Sequence, residues 1–550
     1  MTLELTVDAV VIGGGPGGST AATMLARKGW RVLLFEREHF PRAHVGESLL
    51  PATLPVLEEL GVLPQVQAAG FLPKYGATIV WGRTKTPWSW YFHETNHTYP
   101  HAYQVWRPHF DQLLLDNSRD HGVDVREGHR VVEVLFEEGQ AVGVHYASED
   151  GAVGTARAGC IVDASGQGAV LGRKLGLRRW DPFFQNLAVY GYVTGAQGLP
   201  PPDETNIFIE SYRQGWFWQI PLHTGWTSVG MVLDSRAAQE DLRRDGPTQL
   251  LRHHMAQAPY TAQMLRKAEQ VCGPFVVKDW SYRSDQVVGP GYVLVGDAAC
   301  FVDPLFSSGV HLACMSGVLA AAYVTTVLKD PQMQEPAGKV YTELYAKEYQ
   351  HFHAMAQLFY SSNRSVASYF WEARRLLGQE AFLSPRHAFI HAVAGQLPRG
   401  YERAVLAAGD TPVQFMHSVR TVEAAREERR QRFAAWRQAD PTLTTLMHAV
   451  PRLADGVTVQ RRPVIAAGAF VWGDVLITTG YPEGLPCSRL VALLVTLIDG
   501  QHSLAELLAV LLARAEAPPR QHVTTGVLAT IEILYVDGTI AALDLASDGS

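Results

Sequence analysis

Asp8-Ala-Val-Val-Ile12 followed by Gly13-Gly-Gly15-Pro-Gly-Gly18 is the stretch that decides the fold. The apolar, β-branched run has the length and character of a strand buried on both faces of a parallel sheet. Ser19 to Lys28 is rich in Ala and Leu and reads as a helix ending at Gly29; Arg31-Val-Leu-Leu-Phe35 reads as a second strand leading to Glu36. Strand, GxGxxG, helix, strand and acidic residue, in that order, are what a dinucleotide site requires. Gly13 permits the tight turn, Gly15 lets the backbone approach a pyrophosphate, and Gly18 lets the helix lie against the sheet. The helix N-terminus offers unpaired N–H groups to the phosphates, and Glu36 can accept hydrogen bonds from ribose hydroxyls. Taken alone, the pattern serves FAD or NAD.

A second segment favours FAD. Gly291-Tyr-Val-Leu-Val-Gly296-Asp297 is another buried strand, and Phe301-Val-Asp303-Pro-Leu-Phe-Ser-Ser308-Gly309 leads from it into an apolar helix. A strand-end Asp suits a ribityl hydroxyl. The dipole of the new helix would stabilise a reduced, anionic flavin. A strand, a capping Asp and a core helix would also read this way. Val162-Asp163-Ala-Ser-Gly166 supplies the strand-end turn that completes such a domain, and Arg107 fits as a cofactor-side cation. Arg37, beside Glu36, and Ser48 join the expected cofactor-binding residues.

Outward from these segments the chain changes character. Residues 71–106 and 181–280 are rich in aromatics and alternating strands, the pattern of an antiparallel sheet covering the cofactor. Residues 361–440 read as mostly helical. Residues 441–550 suggest a small winged-helix-like module, with a helix after Ser503, another over Val523 to Leu534 and a hairpin over Tyr535 to Leu543. This module carries six Lys/Arg against ten Asp/Glu, and the whole chain of 550 residues has a formal charge of −7, so nucleic acid is not an expected partner. The apolar run His311 to Leu328 follows a loop of Asp, Pro and Gly and is read as a buried helix, not a membrane span. Five scattered cysteines (Cys160, Cys272, Cys300, Cys314, Cys487) form no disulfide framework or metal pair, and no targeting segment is read at the N-terminus. A cytoplasmic protein without a metal is expected.

Gly215-Trp216-Phe-Trp218-Gln-Ile-Pro221 names the chemistry. Two tryptophans at i and i+2 lie on one face of a strand, where core packing seldom needs two such rings. The segment resembles the GWxWxIP motif of the flavin-dependent halogenases. Lys74, in Phe71-Leu-Pro-Lys74-Tyr-Gly76, resembles that family's active-site lysine. Asp303 to His311 resembles its halide loop, and Val45-Gly46-Glu47-Ser48-Leu-Leu-Pro51 also fits. The resemblance spans roughly residues 5–360 and is nearer to the chloramphenicol and chondrochloren halogenases than to the tryptophan halogenases.

The resemblance implies an α/β, FAD-dependent monooxygenase-like fold over residues 1–360, with a Rossmann-type FAD domain interleaved with the substrate sheet. It implies that FADH2 and O2 give a flavin C4a-hydroperoxide, which chloride or bromide held by the backbone N–H groups of Ser308 and Gly309 attacks to form hypohalous acid. Trp216 and Trp218 would then wall the flavin from the organic substrate, and Lys74 would receive the oxidant and aim it at an electron-rich aromatic or enolisable substrate. Glu47 would serve as a carboxylate near Lys74, as a proton acceptor, or as a structural partner of the flavin loop. Asp285 is a candidate for covalent FAD attachment, as found in some relatives. A second nucleotide fingerprint is not seen, which implies a separate flavin reductase; the subgroup also implies a substrate that is free or tethered to a carrier protein. An aromatic hydroxylase of the same fold and a flavin-binding scaffold with a partner-docking tail are the alternatives.

Overall fold

The computed structural model describes residues 3–81, 86–278, 281–361, 390, 393–394, 419–440, 444–479, 481–514 and 520–544. It divides into two compact units, one of residues 1–411 with 465–470, the other of 412–464 with 471–550.

The first unit is built on a parallel sheet. Tyr292–Leu294, Val153–Asp163, Leu3–Ile12, Val32–Phe35 and Asp124–Arg126 lie side by side in that order. Register puts Leu294, Asp163, Ile12 and Phe35 in one row. The chain therefore leaves all four strands at the same carboxyl edge, where ligands of open α/β sheets bind. The packing around the two central strands is dry: Ala9, Val10, Val11, Leu33 and Leu34 are fully buried. Helix Pro16–Ala26 begins with Pro in its first turn, where the missing N–H costs nothing.

The apolar helix Ser308–Lys329 is buried against Pro16–Ala26, as expected from its sequence. Their crossing is so close that a Cβ on Gly317 would lie 2.6 Å from the Gly17 carbonyl oxygen. Among the described residues it is the one helix long and apolar enough to cross a membrane, and 89% of its apolar window is buried inside the protein.

A second, seven-stranded sheet in this unit has the order Glu269–Lys278, Asn186–Thr194, Thr227–Asp234, Gly215–Pro221, Ile207–Ser211, Gly76–Val80 and Trp88–Tyr91. Its strands come from both segments expected to supply it. The sheet is not wholly antiparallel: Ile207–Ser211 runs parallel to Gly76–Val80. Those strands are more than a hundred residues apart, so no hairpin dictates their direction.

Thr458–Ala466, Ala469–Thr478 and Tyr481–Cys487 form a three-stranded sheet, most of whose residues belong to the second unit. Helices Arg489–Leu497, Leu504–Arg514 and Arg520–Val536 follow. The hairpin expected over Tyr535 to Leu543 is absent. Gly538 adopts φ +82° and its N–H returns to the Tyr535 carbonyl, which caps the preceding helix instead of turning a hairpin. The strand Ile540–Asp544 then pairs with Val450–Leu453, almost a hundred residues earlier. Most of the helical region expected over 361–440 lies outside the described residues; its described end is the helix Val419–Ala439.

Candidate active site

The glycine loop at the carboxyl edge is shaped by contact. Gly13 has φ +101°, and a Cβ on Gly18 would fall 1.9 Å from the Gly13 carbonyl oxygen. At Gly15 the neighbour is not backbone but the Arg42 guanidinium, 3.3 Å from where a Cβ would stand. A cation facing bare N–H groups at a helix N-terminus is the surrounding a pyrophosphate needs. Nothing local in the sequence links position 42 to position 15, so sequence reading misses Arg42.

Glu36 is buried at the end of its strand. Its carboxylate accepts from the Gly14 N–H at 2.8 Å and the Glu38 N–H at 2.9 Å, so it holds the loop as well as facing the ribose position. Arg37 is exposed and pairs with Glu38. Asp163 is fully buried and spends its carboxylate on its own turn, accepting from Ser165 N–H and hydroxyl and from Leu171 N–H at 2.7 Å. Asp285 is a half-exposed partner of Arg179.

Arg107 is buried and donates twice to Asp111, at 2.7 and 2.9 Å, and to the Val45 carbonyl at 2.8 Å. Burial works against the charge of each partner, but their mutual attraction outweighs it: Arg107 is raised and Asp111 lowered from their ordinary values. This pair pins the segment that carries Glu47. Glu47 is buried, accepting from Tyr192 hydroxyl at 2.7 Å and Gly46 N–H at 3.0 Å. Asp297 has no hydrogen bond to its carboxylate among the described residues, and burial pushes it up to about 7, with Arg107 and Arg178 pulling the other way. A strand-end carboxyl with open hydrogen-bonding capacity fits a ribityl hydroxyl. Together with the Gly15–Arg42 cradle, it makes the residues present a fit for FAD.

Beyond Asp297 the halide-loop segment has a fixed shape. Asp303 caps its turn through the Leu305 N–H at 3.0 Å, Ser307 adopts the left-handed φ of +57°, and the helix then starts at Ser308, which is buried. Ser308 and Gly309 thus sit in the first turn of a 22-residue helix, where N–H groups lack intrahelical acceptors.

Trp216 and Trp218 project from one face of their strand, ring centroids 5.9 Å apart, and both are buried. Trp218 donates to Ser228 hydroxyl at 3.2 Å, and its ring lies where a Cβ on Gly230 would be. Trp216 donates to the Tyr360 hydroxyl at 2.6 Å, which donates to Asp303 at 3.0 Å. Asn186 contacts both Asp303 and Tyr360. Tyr360 therefore ties the tryptophan strand to the halide-loop segment, a link that sequence reading misses because 144 residues separate it from Trp216. Tyr360→Phe is expected to lower stability by about 1–3 kcal/mol, since the buried Trp216 N–H and Asp303 each lose a partner. A urea unfolding midpoint that does not move would contradict this.

Lys74 is 2% exposed, at the end of strand Leu72–Lys74. Its Nζ donates to the Leu49 carbonyl at 3.0 Å and lies 5.4 Å from the centroid of the Phe92 ring. Burial lowers its pKa to about 7, and among the described residues it has no carboxylate partner in an ion pair. Glu47 instead keeps company with Tyr192, Gly46 and Arg107.

The chain resembles known proteins over more than half of its length. The tryptophan halogenase family model matches residues 92–397, and that of the FAD dependent oxidoreductases matches residues 8–174. A tryptophan 2-halogenase of Chondromyces crocatus is 34% identical over 383 residues, which is 69% of this chain and 73% of that protein. A 1H-pyrrole-2-carbonyl-(peptidyl-carrier protein) chlorinase of Pseudomonas fluorescens is 33% identical over 384 residues, covering 65% of this chain and 84% of that one. The solved structure of the myxobacterial chondrochloren halogenase superposes with a TM-score of 0.63 at 37% identity over 71% of this chain and 97% of that one. CmlS, a flavin-dependent halogenase, does so with a TM-score of 0.66 at 25% identity over 99% of this chain and 98% of that one.

Proposed function

The chain belongs to the flavin-dependent halogenases, and on that premise we propose that it chlorinates or brominates an electron-rich aromatic or enolisable substrate by way of Lys74. The observation that carries this reading is the enclosed amine of Lys74, which has a main-chain carbonyl for its partner and a pKa brought down to about 7 by burial. Near neutral pH such an amine exists in both forms. It can donate to an oxidant or be halogenated by it, and either role suits a relay between halide oxidation and substrate.

FAD, reduced by a separate flavin reductase, supplies the electrons that activate O2. Gly15 and Arg42 would hold its pyrophosphate and Glu36 its ribose, while Asp297 would take the ribityl chain. Arg107, locked on Asp111, holds the 45–51 segment, which would line the flavin; Glu47 serves there as a structural carboxylate bonded to Tyr192. Ser308 and Gly309 N–H groups hold the halide, and the Tyr360–Asp303 link keeps that loop in register with Trp216. Trp216 and Trp218 exclude the organic substrate from the flavin, so oxygen is not passed to it directly. Hypohalous acid is the species small enough to go on to Lys74. Free thiols at all five cysteines suit a reducing cytoplasm.

The relative in Pseudomonas fluorescens acts on a carrier-bound pyrrole, as its name states. We extend that to this chain as a choice between a free and a carrier-tethered acyl substrate. Parallel assays with an aromatic acid and with its thioester on a carrier protein decide it. Halogenation confined to the thioester supports tethering, and equal rates on the free acid exclude it.

A further inference from the structure

We propose that Gln104 and Ser48 complete, beside Lys74, a binding site for a small hydroxylic molecule, X–O–H, whose occupant during turnover is hypohalous acid. The proposal rests on the reading of Lys74 above and extends it to two residues outside the halogenase motifs' assigned relay.

Two short strands and a bridging segment at Ser48 lie side by side here. Leu72–Lys74 pairs antiparallel with Ala102–Gln104, placing Leu72 opposite Gln104 and Lys74 opposite Ala102. On the far side of Ala102–Gln104, Ser48 bridges Gln104, with the Leu49 N–H donating to Tyr103 and the Val105 N–H to Glu47. Residues opposite one another on neighbouring strands share a face, as do residues two apart along one strand. Ser48, Gln104 and Lys74 therefore project from the same face of this ribbon. Lys74 and Gln104 are diagonal neighbours, within reach of long side chains. Across the small Ala102, Lys74 extends to the Leu49 carbonyl, adjacent to Ser48.

All three polar side chains are enclosed: Gln104 is 0%, Lys74 2% and Ser48 5% exposed. Gln104 Nε2 donates to the Thr205 carbonyl at 3.2 Å, which fixes the amide and leaves Oε1 as the open group. Among the described residues Gln104 Oε1 has no hydrogen-bonding partner, nor has Ser48 Oγ. Buried amide and hydroxyl oxygens are nearly always satisfied in native proteins, by protein or by a small bound molecule. Here one face presents an acceptor (Gln104 Oε1), a hydroxyl that can donate or accept (Ser48 Oγ) and an amine donor (Lys74 Nζ).

A hydroxylic molecule matches that set. Its O–H donates to Gln104 Oε1 while its oxygen accepts from Lys74 and Ser48. In hypohalous acid, donors at the oxygen draw electron density from the halogen. When a substrate carbon attacks the halogen, the C–X bond forms, the O–X bond breaks, and the oxygen leaves with its hydrogen and takes up the substrate's displaced proton as water. Water has the same hydrogen-bonding chemistry and occupies the site between turnovers.

Gln104→Leu keeps the volume and removes the acceptor. With FAD, reductase, NADH, O2 and bromide, it is expected to lower substrate bromination at least about tenfold relative to oxidant trapped in solution by a thioether, the loss of one buried hydrogen bond. Gln104→Glu retains an acceptor and is expected to restore part of that partition. Apart from turnover, acetic anhydride labelling of Lys74 in the FAD-free protein, followed by mass spectrometry against pH, reads the same contact. Labelling is expected to begin at lower pH in Gln104→Leu and at higher pH in Gln104→Glu. If Lys74→Ala loses bromination while Gln104→Leu keeps both the wild-type partition and the wild-type labelling curve, the site holds water alone and the inference is overturned. If Lys74→Ala brominates like the wild type, it is the reading of Lys74 that fails.

Discussion

Lys74→Ala is expected to lower substrate halogenation by roughly 10²–10⁴-fold, the usual scale for losing a positioned proton-transfer or relay group, while FAD still binds. The residues that surround the cofactor position, Gly15, Glu36, Arg42 and Asp297, lie in other segments and lose nothing. Steady-state halogenation and an FAD titration on the same preparation check this; retained turnover would remove Lys74 from the mechanism. The lysine also carries a cost in stability, with a sign that pH reveals. Its folded value of about 7 lies below the ordinary lysine value. Below pH 7 the amine is protonated folded and unfolded, and the whole penalty for burying the ammonium is felt. Between about 7 and the ordinary value the folded amine is neutral and the unfolded one still charged, so the penalty shrinks as pH rises. Lys74→Met is therefore expected to be more stable than the wild type by a few kcal/mol at about pH 6, with the gain fading towards about pH 10. Urea unfolding at the two pH values measures it. An inactive variant of raised stability is the signature of a group kept for function.

Arg107→Ala has the second large effect. It leaves Asp111, fully buried, without its bidentate partner and withdraws the donor to the Val45 carbonyl. Breaking a buried pair from one side costs about 3–5 kcal/mol. Arg42, 3.6 Å from Asp111, offsets part of the loss and sets the expectation at the lower end. FAD affinity should fall as well, because Arg42 is drawn towards Asp111 and the 45–51 segment loses its anchor. Arg107→Lys should rescue little, since an ammonium cannot meet two carboxylate oxygens and a carbonyl in a planar fork. Unchanged unfolding and FAD titration curves in Arg107→Ala would refute this account of the pair.

The parts of the site that could be read in advance are those written locally. The glycine loop, Glu36 and the strand 215–221 declare themselves because turn geometry and period-two alternation act over a few neighbours. The partners of the carboxylates are not written locally. Asp163 accepts from its own turn, and Glu47, whose role the sequence leaves open, accepts from Tyr192. Which donor a buried carboxylate finds depends on what the fold brings to it. Arg42 over Gly15, Tyr360 between Trp216 and Asp303, and Gln104 beside Ser48 all arise from pairings of distant strands and helices, and no spacing along the chain signals them. The tail shows the limit for the fold itself. Asp537-Gly538 has hairpin chemistry, yet it caps a helix because the following strand finds its partner near residue 450.

The oxidant is expected to reach substrate as halogen and not as oxygen. Incubation with FAD, a flavin reductase, NADH, bromide and 18O2 over a panel of phenols and pyrroles, with products read by mass spectrometry, tests it directly. Products bearing the bromine isotope doublet and no 18O are predicted. Products that gain one 18O atom and no bromine would contradict the claim.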